Sequence, residues 1–180
     1  QERIASYETW FGEGPTETIH KEYGCTYLLD MTKVFFTPRL STERKRIASL
    51  VRQGEVVCDL FAGVGPFSIL IAKTQIHSKV FACDINPAAY EYLSKNILLN
   101  KVASRVQPFL GDARALASGK LKRKADRVIM NLPMGAELYL DAASNALGEK
   151  GGVIHLYLFR SEQEDKKHRV EQIISEMRGL

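Results

Sequence analysis

From Glu55 onward the chain repeats one pattern: a short apolar run that ends on a polar residue, then a longer amphipathic stretch. The runs at 56–61, 79–83, 106–110, 125–130 and 151–159 are predicted strands, and Asp84, Gly111-Asp112 and Asn131 close the middle three. Helices are predicted from the glycine loop after position 61 to about 73, from Asn86-Pro87 onward, over 136–147, and over 162–177. Proline suits the first turn of a helix because its missing N–H has no intrahelical partner there. That helix carries Tyr90, Leu93, Ile97 and Leu98 on one side, and Gly148 stops the one ending at 147. Strands alternating with helices at this spacing predict an α/β, mainly parallel, doubly wound sheet, Rossmann-like in its layering. Nothing in the sequence repeats internally.

Residues 1–40 read differently. Ile4, Tyr7, Trp10 and Phe11 suggest a short irregular strand, and Glu13-Gly14-Pro15 is turn chemistry. The stretches 16–23, 26–29 and 34–36 are extended in character, with Asp30 between the last two and Pro38 at the end. So small a β-rich segment cannot build its own core, and 1–40 is expected to be part of a larger unit preceding a domain over 41–180. A helix opens near Ser41, with Ile47, Leu50 and Val51 marking its core face. The chain begins Gln1-Glu2-Arg3, without Met or an apolar leader, so a fragment or processed chain is expected.

Composition sets outer bounds. Of 180 residues, 45% are hydrophobic and 26% charged, a balance that excludes collagen, coiled coil and wholesale disorder. No apolar run approaches the ~18–20 residues a membrane-spanning helix needs. Cys25, Cys58 and Cys83 are odd in number and lack CxxC spacing, so they read as reduced thiols of a cytoplasmic protein. His20, His77, His155 and His168 lack ligand spacing, and no metal is assigned. Tyr157 and Phe159 read as core side chains. The net charge of +4 includes two basic runs, one with Arg39, Arg44, Lys45, Arg46 and Arg52, the other with Lys120, Lys122, Arg123, Lys124 and Arg127. Each could neutralise phosphates or simply be a solvated face.

In a doubly wound sheet the ligand lies outside the carboxyl ends of the strands. Asp59 sits just before Leu60-Phe61-Ala62-Gly63-Val64-Gly65, whose glycines allow a tight turn and close backbone approach to a ligand. The third glycine of a dinucleotide fingerprint is replaced by Ser68, which removes the pyrophosphate cradle. Asp84 can accept both hydroxyls of a ribose, or cap the helix that follows. Asp112, or the amide of Ala113, can read an adenine edge. An adenosine site without a phosphate loop suits S-adenosylmethionine and not NAD. After the fourth strand, Asn131-Leu132-Pro133-Met134 offers an amide and carbonyls to a flat base beside a methyl donor. It is similar to the Asn-Pro-Pro-aromatic motif of nucleic-acid amino-methyltransferases, with Leu132 and Met134 as departures.

Taken in order, the segments 37–44 (Thr-Pro-Arg-Leu-Ser-Thr-Glu-Arg), 58–67 (Cys-Asp-Leu-Phe-Ala-Gly-Val-Gly-Pro-Phe), 84–87, 111–114 and 131–133 resemble the archaeal and eukaryotic tRNA (guanine-37-N1)-methyltransferases over nearly the whole chain. The resemblance implies a class I methyltransferase fold and methyl transfer from S-adenosylmethionine to N1 of the guanosine 3′ to the anticodon. It also implies a cofactor set of Arg44, Asp59, Phe61, Gly63, Gly65, Asp84, Ile85, Asp112, Ala113 and Asn131. Guanine N1 carries a proton at neutral pH, so a base must remove it while a cation near O6 steadies the developing charge. The family's pattern gives these roles to Glu43 and Arg3, with Asn131 and Pro133 facing the base. Family members also carry an N-terminal tRNA-recognition domain and two further C-terminal strands, which would lie outside this chain. The related wyosine-pathway aminocarboxypropyl transferase lacks Asn-Leu-Pro at this point, which favours methyl transfer. Methylation of a wyosine intermediate, another RNA or a small molecule stays open. A NAD-dependent dehydrogenase would need the missing glycine, and a non-catalytic RNA-binding module would not need carboxylates at the strand ends.

Overall fold

The computed structural model describes residues 14–132, 134–159 and 165–178. The expected strand around Ile4–Phe11 lies outside them. The first described elements are two strands, β1 (Glu17–Glu22) and β2 (Cys25–Asp30), paired antiparallel from Glu17 opposite Asp30 to Glu22 opposite Cys25. Tyr23 and Gly24 close the hairpin, both at positive φ, as a two-residue turn requires. Alternation along β2 turns Cys25, Tyr27 and Leu29 inward.

The outer edge of β2 finds a partner that is not a strand. Asn96 and Asn100 stand one turn apart on helix α3 (Pro87–Leu99) and at its C-cap. Asn96 accepts from Leu28 N at 2.7 Å and donates to Leu28 O at 3.0 Å. Asn100 does the same for Thr26, at 2.9 and 2.6 Å. Two side-chain amides thus mimic a neighbouring strand and satisfy backbone groups whose burial unpaired would be costly. The hairpin's inner face also belongs to the same apolar cluster as α1 (Ser41–Leu50), α2 (Pro66–Thr74) and α3.

The main sheet holds β3 (Val56–Asp59), β4 (Lys79–Asp84), β5 (Val106–Leu110), β6 (Arg127–Met130) and β7 (Val153–Leu156). Its order is β5-β4-β3-β6-β7 and every pairing is parallel. The chain winds from β3 to β5 on one side, then returns across β3 to lay down β6 and β7. That reversal opens a crevice at the strand ends. Alternation assigns side chains to two layers: Val57, Val80, Ala82 and Ile129 face α1–α3, whereas Cys58, Cys83, Val128 and Met130 face α4 (Ala113–Ser118) and α5 (Leu140–Ala146). Ile173 and Met177 of α6 (Lys166–Arg178) pack against the second layer. A doubly wound, Rossmann-like sheet is what the sequence predicts.

Several local expectations change. Residues 34–36 form no strand; they cross the strand ends as a loop, with Val34 buried and Phe35 on the cleft described below. The helix expected over 136–147 is a 3-10 turn (Ala136–Tyr139) followed by α5. The fifth strand is limited to Val153–Leu156, with Tyr157 N still donating to Met130 O at 3.3 Å. Helix α4 was not anticipated, because six residues are too few to show a period. No helix among the described residues is long and apolar enough to cross a membrane.

Candidate active site

The loop between β3 and α2 passes over the end of β4, and Asp84 fastens it there. Gly63 N donates to Asp84 Oδ2 at 2.7 Å, and Asn86 N donates to Oδ1 at 2.9 Å. Gly63 has φ +56°, which lets its amide turn toward the carboxylate. A carboxylate oxygen accepts more than one hydrogen bond, so Asp84 can serve a ligand while its orientation is fixed by the backbone. Around it lies a cleft, partly open to solvent, lined by Leu60, Phe61, Gly63, Asp84, Ile85, Asn86, Ala89, Asp112, Ala113 and Leu132, together with Phe35 and Tyr139.

Each wall has a local cause. Asp112 caps α4, its Oδ1 accepting from Arg114 N at 2.9 Å and Ala115 N at 3.1 Å, which places Asp112 and Ala113 at the end of β5. Asn86 caps α3 by accepting from Ala88 N, and its amide donates to Lys33 O at 3.0 Å. That bond ties the loop carrying Phe35 to the cleft floor. Tyr139 meets Phe61 edge-on at 5.2 Å between ring centres, with the Arg114 guanidinium over its face at 4.7 Å. Arg114 is held in turn by Asp141 at 3.0 Å and by Leu138 O. Phe35, Asn86 and Tyr139 were not singled out from sequence as ligand contacts. Asn86 carried a helix-start signal and a place in the 84–87 segment, and the other two carried none.

The structure brings Phe61, Gly63, Asp84, Ile85, Asp112 and Ala113 together in this cleft. Asn131 follows β6 and adjoins Leu132 of the lining. Asp59 and Gly65 instead lie behind the cleft. Asp59 is buried and accepts from Ser68 Oγ at 2.8 Å, so the serine that replaces a fingerprint glycine anchors α2 to β3. At Gly65, φ is +89°, and a Cβ would come within 2.5 Å of Leu93 Cδ1, so this glycine serves helix packing.

Arg44 requires a correction. Its side chain is 2% exposed and committed to Glu22, Nε to Oε1 and Nη2 to Oε2 at 2.6 Å each, while Nη1 donates to Thr37 O at 3.1 Å. The guanidinium also lies 5.3 Å from the Phe36 ring centre. It joins β1, α1 and the 31–37 loop, and lies outside the cleft lining. The basic runs are likewise uneven. Arg127 is buried against Glu55 at 2.8 Å and donates to Leu50 O, and Arg123 pairs with Glu149.

Glu43 opens α1 outside the cleft lining. Arg46 donates to both its oxygens at 2.7 Å, and Tyr157 Oη donates to Oε1 at 2.7 Å. Arg46 foremost, then Tyr157, hold the carboxyl below its ordinary pKa, against the opposing effect of burial. His155 is lowered to about 4 by burial and by Arg127, whose Nη1 donates to its Nε2 at 2.6 Å. The remaining expected site residues, Arg3 and Pro133, lie outside the described residues. Among the described residues no group of His, Cys, Asp or Glu is arranged to hold a metal, and no disulfide joins the three buried cysteines.

The TRM5/TYW2 methyltransferase domain matches residues 18–179. The chain is 51% identical over 162 residues to the tRNA (guanine(37)-N(1))-methyltransferase Trm5b of Pyrococcus abyssi, covering 90% of this chain and 46% of that protein. It is 44% identical over 142 residues to a tRNA(Phe) (4-demethylwyosine(37)-C(7)) aminocarboxypropyltransferase of Methanocaldococcus jannaschii, covering 79% and 55%. The solved structure of Methanocaldococcus jannaschii Trm5 in complex with adenosine superimposes with a TM-score of 0.81 at 43% identity, over 94% of this chain and 50% of that one. The chain therefore spans about half the length of the curated relatives it matches.

Proposed function

Because this chain belongs to the TRM5/TYW2 methyltransferase family, we propose that it is the catalytic part of a cytoplasmic tRNA methyltransferase that acts on N1 of guanosine 37 with S-adenosylmethionine as donor. The observation that carries this reading is the Gly63–Asp84–Asn86 arrangement at the end of β4. A carboxylate held by two backbone amides at the mouth of a cleft suits a ribose diol. Asp112 and Ala113, one strand along, suit an adenine edge, and Ile85 and Phe61 supply apolar contact. The residues present therefore fit the adenosine end of the donor, as does the likeness to a relative solved with adenosine. When bound, the donor supplies an electrophilic methyl group on a sulfonium.

What the chain itself must do is prepare guanine N1. Glu43 is ionised at neutral pH, as any carboxylate at or below its ordinary pKa is, and so it is able to accept the N1 proton, while Arg46 and Tyr157 stabilise its charged form. Its pair with Arg46 is half exposed, and such surface pairs contribute only ~0–1 kcal/mol, so an incoming base can replace that partner. Arg3 would place positive charge near O6 as the proton leaves N1. Asn131 would orient the base edge, a role the family's pattern also gives to Pro133. The anticodon loop is the expected partner, with further recognition supplied by an N-terminal domain outside this chain.

The second reading is aminocarboxypropyl transfer at the same tRNA position, favoured by the 44% identity to such an enzyme. The Asn131-Leu132-Pro133 sequence favours methyl transfer over it. The test is incorporation of labelled methyl groups into tRNA transcripts differing only at position 37. Label should enter the transcript with guanosine there and not the one with adenosine. Equal labelling of both would overturn the assignment.

A further inference from the structure

We propose that Tyr157 is a positioning residue for Glu43, an inference that rests on the reading of Glu43 as the base that takes the N1 proton. A base does its work only if held in hydrogen-bond reach of the proton it removes. Of the two partners seen on Glu43, Arg46 cannot provide that placement. It lies three residues along the same helix, its side chain is 55% exposed, and it moves with whatever carries Glu43.

Tyr157 follows β7, 114 residues away in sequence, and its hydroxyl donates to Oε1 at 2.7 Å. The tyrosine is itself well anchored. Its backbone amide donates to Met130 O at 3.3 Å, the residue immediately before Asn131. Its ring lies 5.8 Å from that of Phe67, on the first turn of α2, and packs against the core formed by α1, α2 and α3. Glu43 is thereby registered against the end of β6, where Asn131 and Leu132 stand, and against the first turn of α2. Burial, followed by the bond to Glu43, raises the phenol well above its ordinary pKa. Tyr157 therefore remains a donor at every working pH. By occupying Oε1 it leaves Oε2 as the oxygen that meets a proton once Arg46 is displaced.

A tyrosine serving only to fill the core would need its ring and any acceptor. Phenylalanine keeps the ring and removes the bond, so Tyr157→Phe separates the two roles. The experiment measures single-turnover methyl transfer at saturating tRNA and donor for the complete protein, Tyr157→Phe, Glu43→Gln and the double variant. The rate should fall about tenfold in Tyr157→Phe, less than the ~10²–10⁴-fold expected when the base itself is lost, because the carboxylate is displaced rather than removed. Donor affinity should be unchanged. In the Glu43→Gln background the tyrosine substitution should have no further effect. A wild-type rate in Tyr157→Phe, or equal losses in both backgrounds, would overturn the positioning role while leaving the base assignment intact. A wild-type rate in Glu43→Gln would overturn the base assignment and this proposal with it.

Discussion

Gly63 and Gly65 sit two residues apart in one loop, both at positive φ, yet they should respond oppositely to the same substitution. A Cβ at Gly65 would meet Leu93 Cδ1 at 2.5 Å and Ile69 Cδ1 at 3.0 Å, and both side chains are fully buried. Left-handed backbone costs an L-residue roughly 1–2 kcal/mol, and overpacking a tight core a further ~1–3 kcal/mol. Restricting the unfolded chain returns about 0.4–1 kcal/mol, so Gly65→Ala should lose roughly 2–4 kcal/mol of stability. At Gly63 the nearest atom would be Phe35 O at an ordinary 3.7 Å, leaving only the backbone cost, about 0.5–1.5 kcal/mol net. Gly63, however, lines the cleft and donates to Asp84. Urea unfolding should therefore single out Gly65→Ala, and donor titration of the folded protein should single out Gly63→Ala. If Gly65→Ala were no less stable than Gly63→Ala, the division of this loop into a packing half and a ligand half would be wrong.

Three further outcomes follow from the same geometry. Asp84→Ala should weaken donor binding by roughly 1–3 kcal/mol in calorimetry, the scale of a charge-assisted hydrogen bond left unmade; unchanged affinity would remove Asp84 from the site. Asn96→Ala leaves Leu28 N, Leu28 O and Val64 O without their amide partner, and should cost roughly 2–4 kcal/mol in urea unfolding, whereas a loss below ~1 kcal/mol would mean the surrogate-strand contact is unimportant. His155 titrates near 4 in the fold against 6.5 ordinarily, so an unfolded chain takes its proton first. Stability from this group should be complete above about pH 6.5 and decline toward pH 4, by at most ~1.4 kcal/mol per pH unit and about half that once its partial exposure is allowed for. Glu43 and Glu55 are shifted below 4.5, so their contributions are complete above that value and fade only at lower pH. The interval from 6.5 to 4.5 thus isolates His155, and His155→Gln should flatten the stability profile there.

The sheet was legible because its signal is redundant. Each apolar run stops on a residue that cannot continue a buried strand, so Asp84, Asp112 and Asn131 marked the strand ends, and the first two of them the cleft as well. The glycine loop showed itself as well, although sequence alone could not tell Gly63, which lines the cleft, from Gly65, which lies against Leu93. Arg44 was misassigned because its partner Glu22 is 22 residues away on another element, and no local pattern announces a buried ion pair. Residues 34–36 have strand-like composition, but the carbonyls that flank them are taken by side chains, Lys33 O by Asn86 and Thr37 O by Arg44, and Val34 N donates back to Asp30 O rather than to a neighbouring strand. Tyr157 and Phe159 both read as core; the Tyr157 ring is packed there, whereas Phe159 is 73% exposed. What the sequence could not reveal is where the Tyr157 hydroxyl ends, since that depends on the fold bringing Glu43 of α1, 114 residues away, against it.

The most direct test of the central claim is mass spectrometry of nucleosides released from an unmodified tRNA after incubation with the complete protein and S-adenosylmethionine. The account predicts a single new product, guanosine methylated at N1 and mapped to position 37, whose formation is slowed in Glu43→Gln and requires higher donor concentration in Asp84→Ala. An aminocarboxypropyl adduct, a methyl group on another nucleoside, or 1-methylguanosine formed equally well by both variants would contradict it.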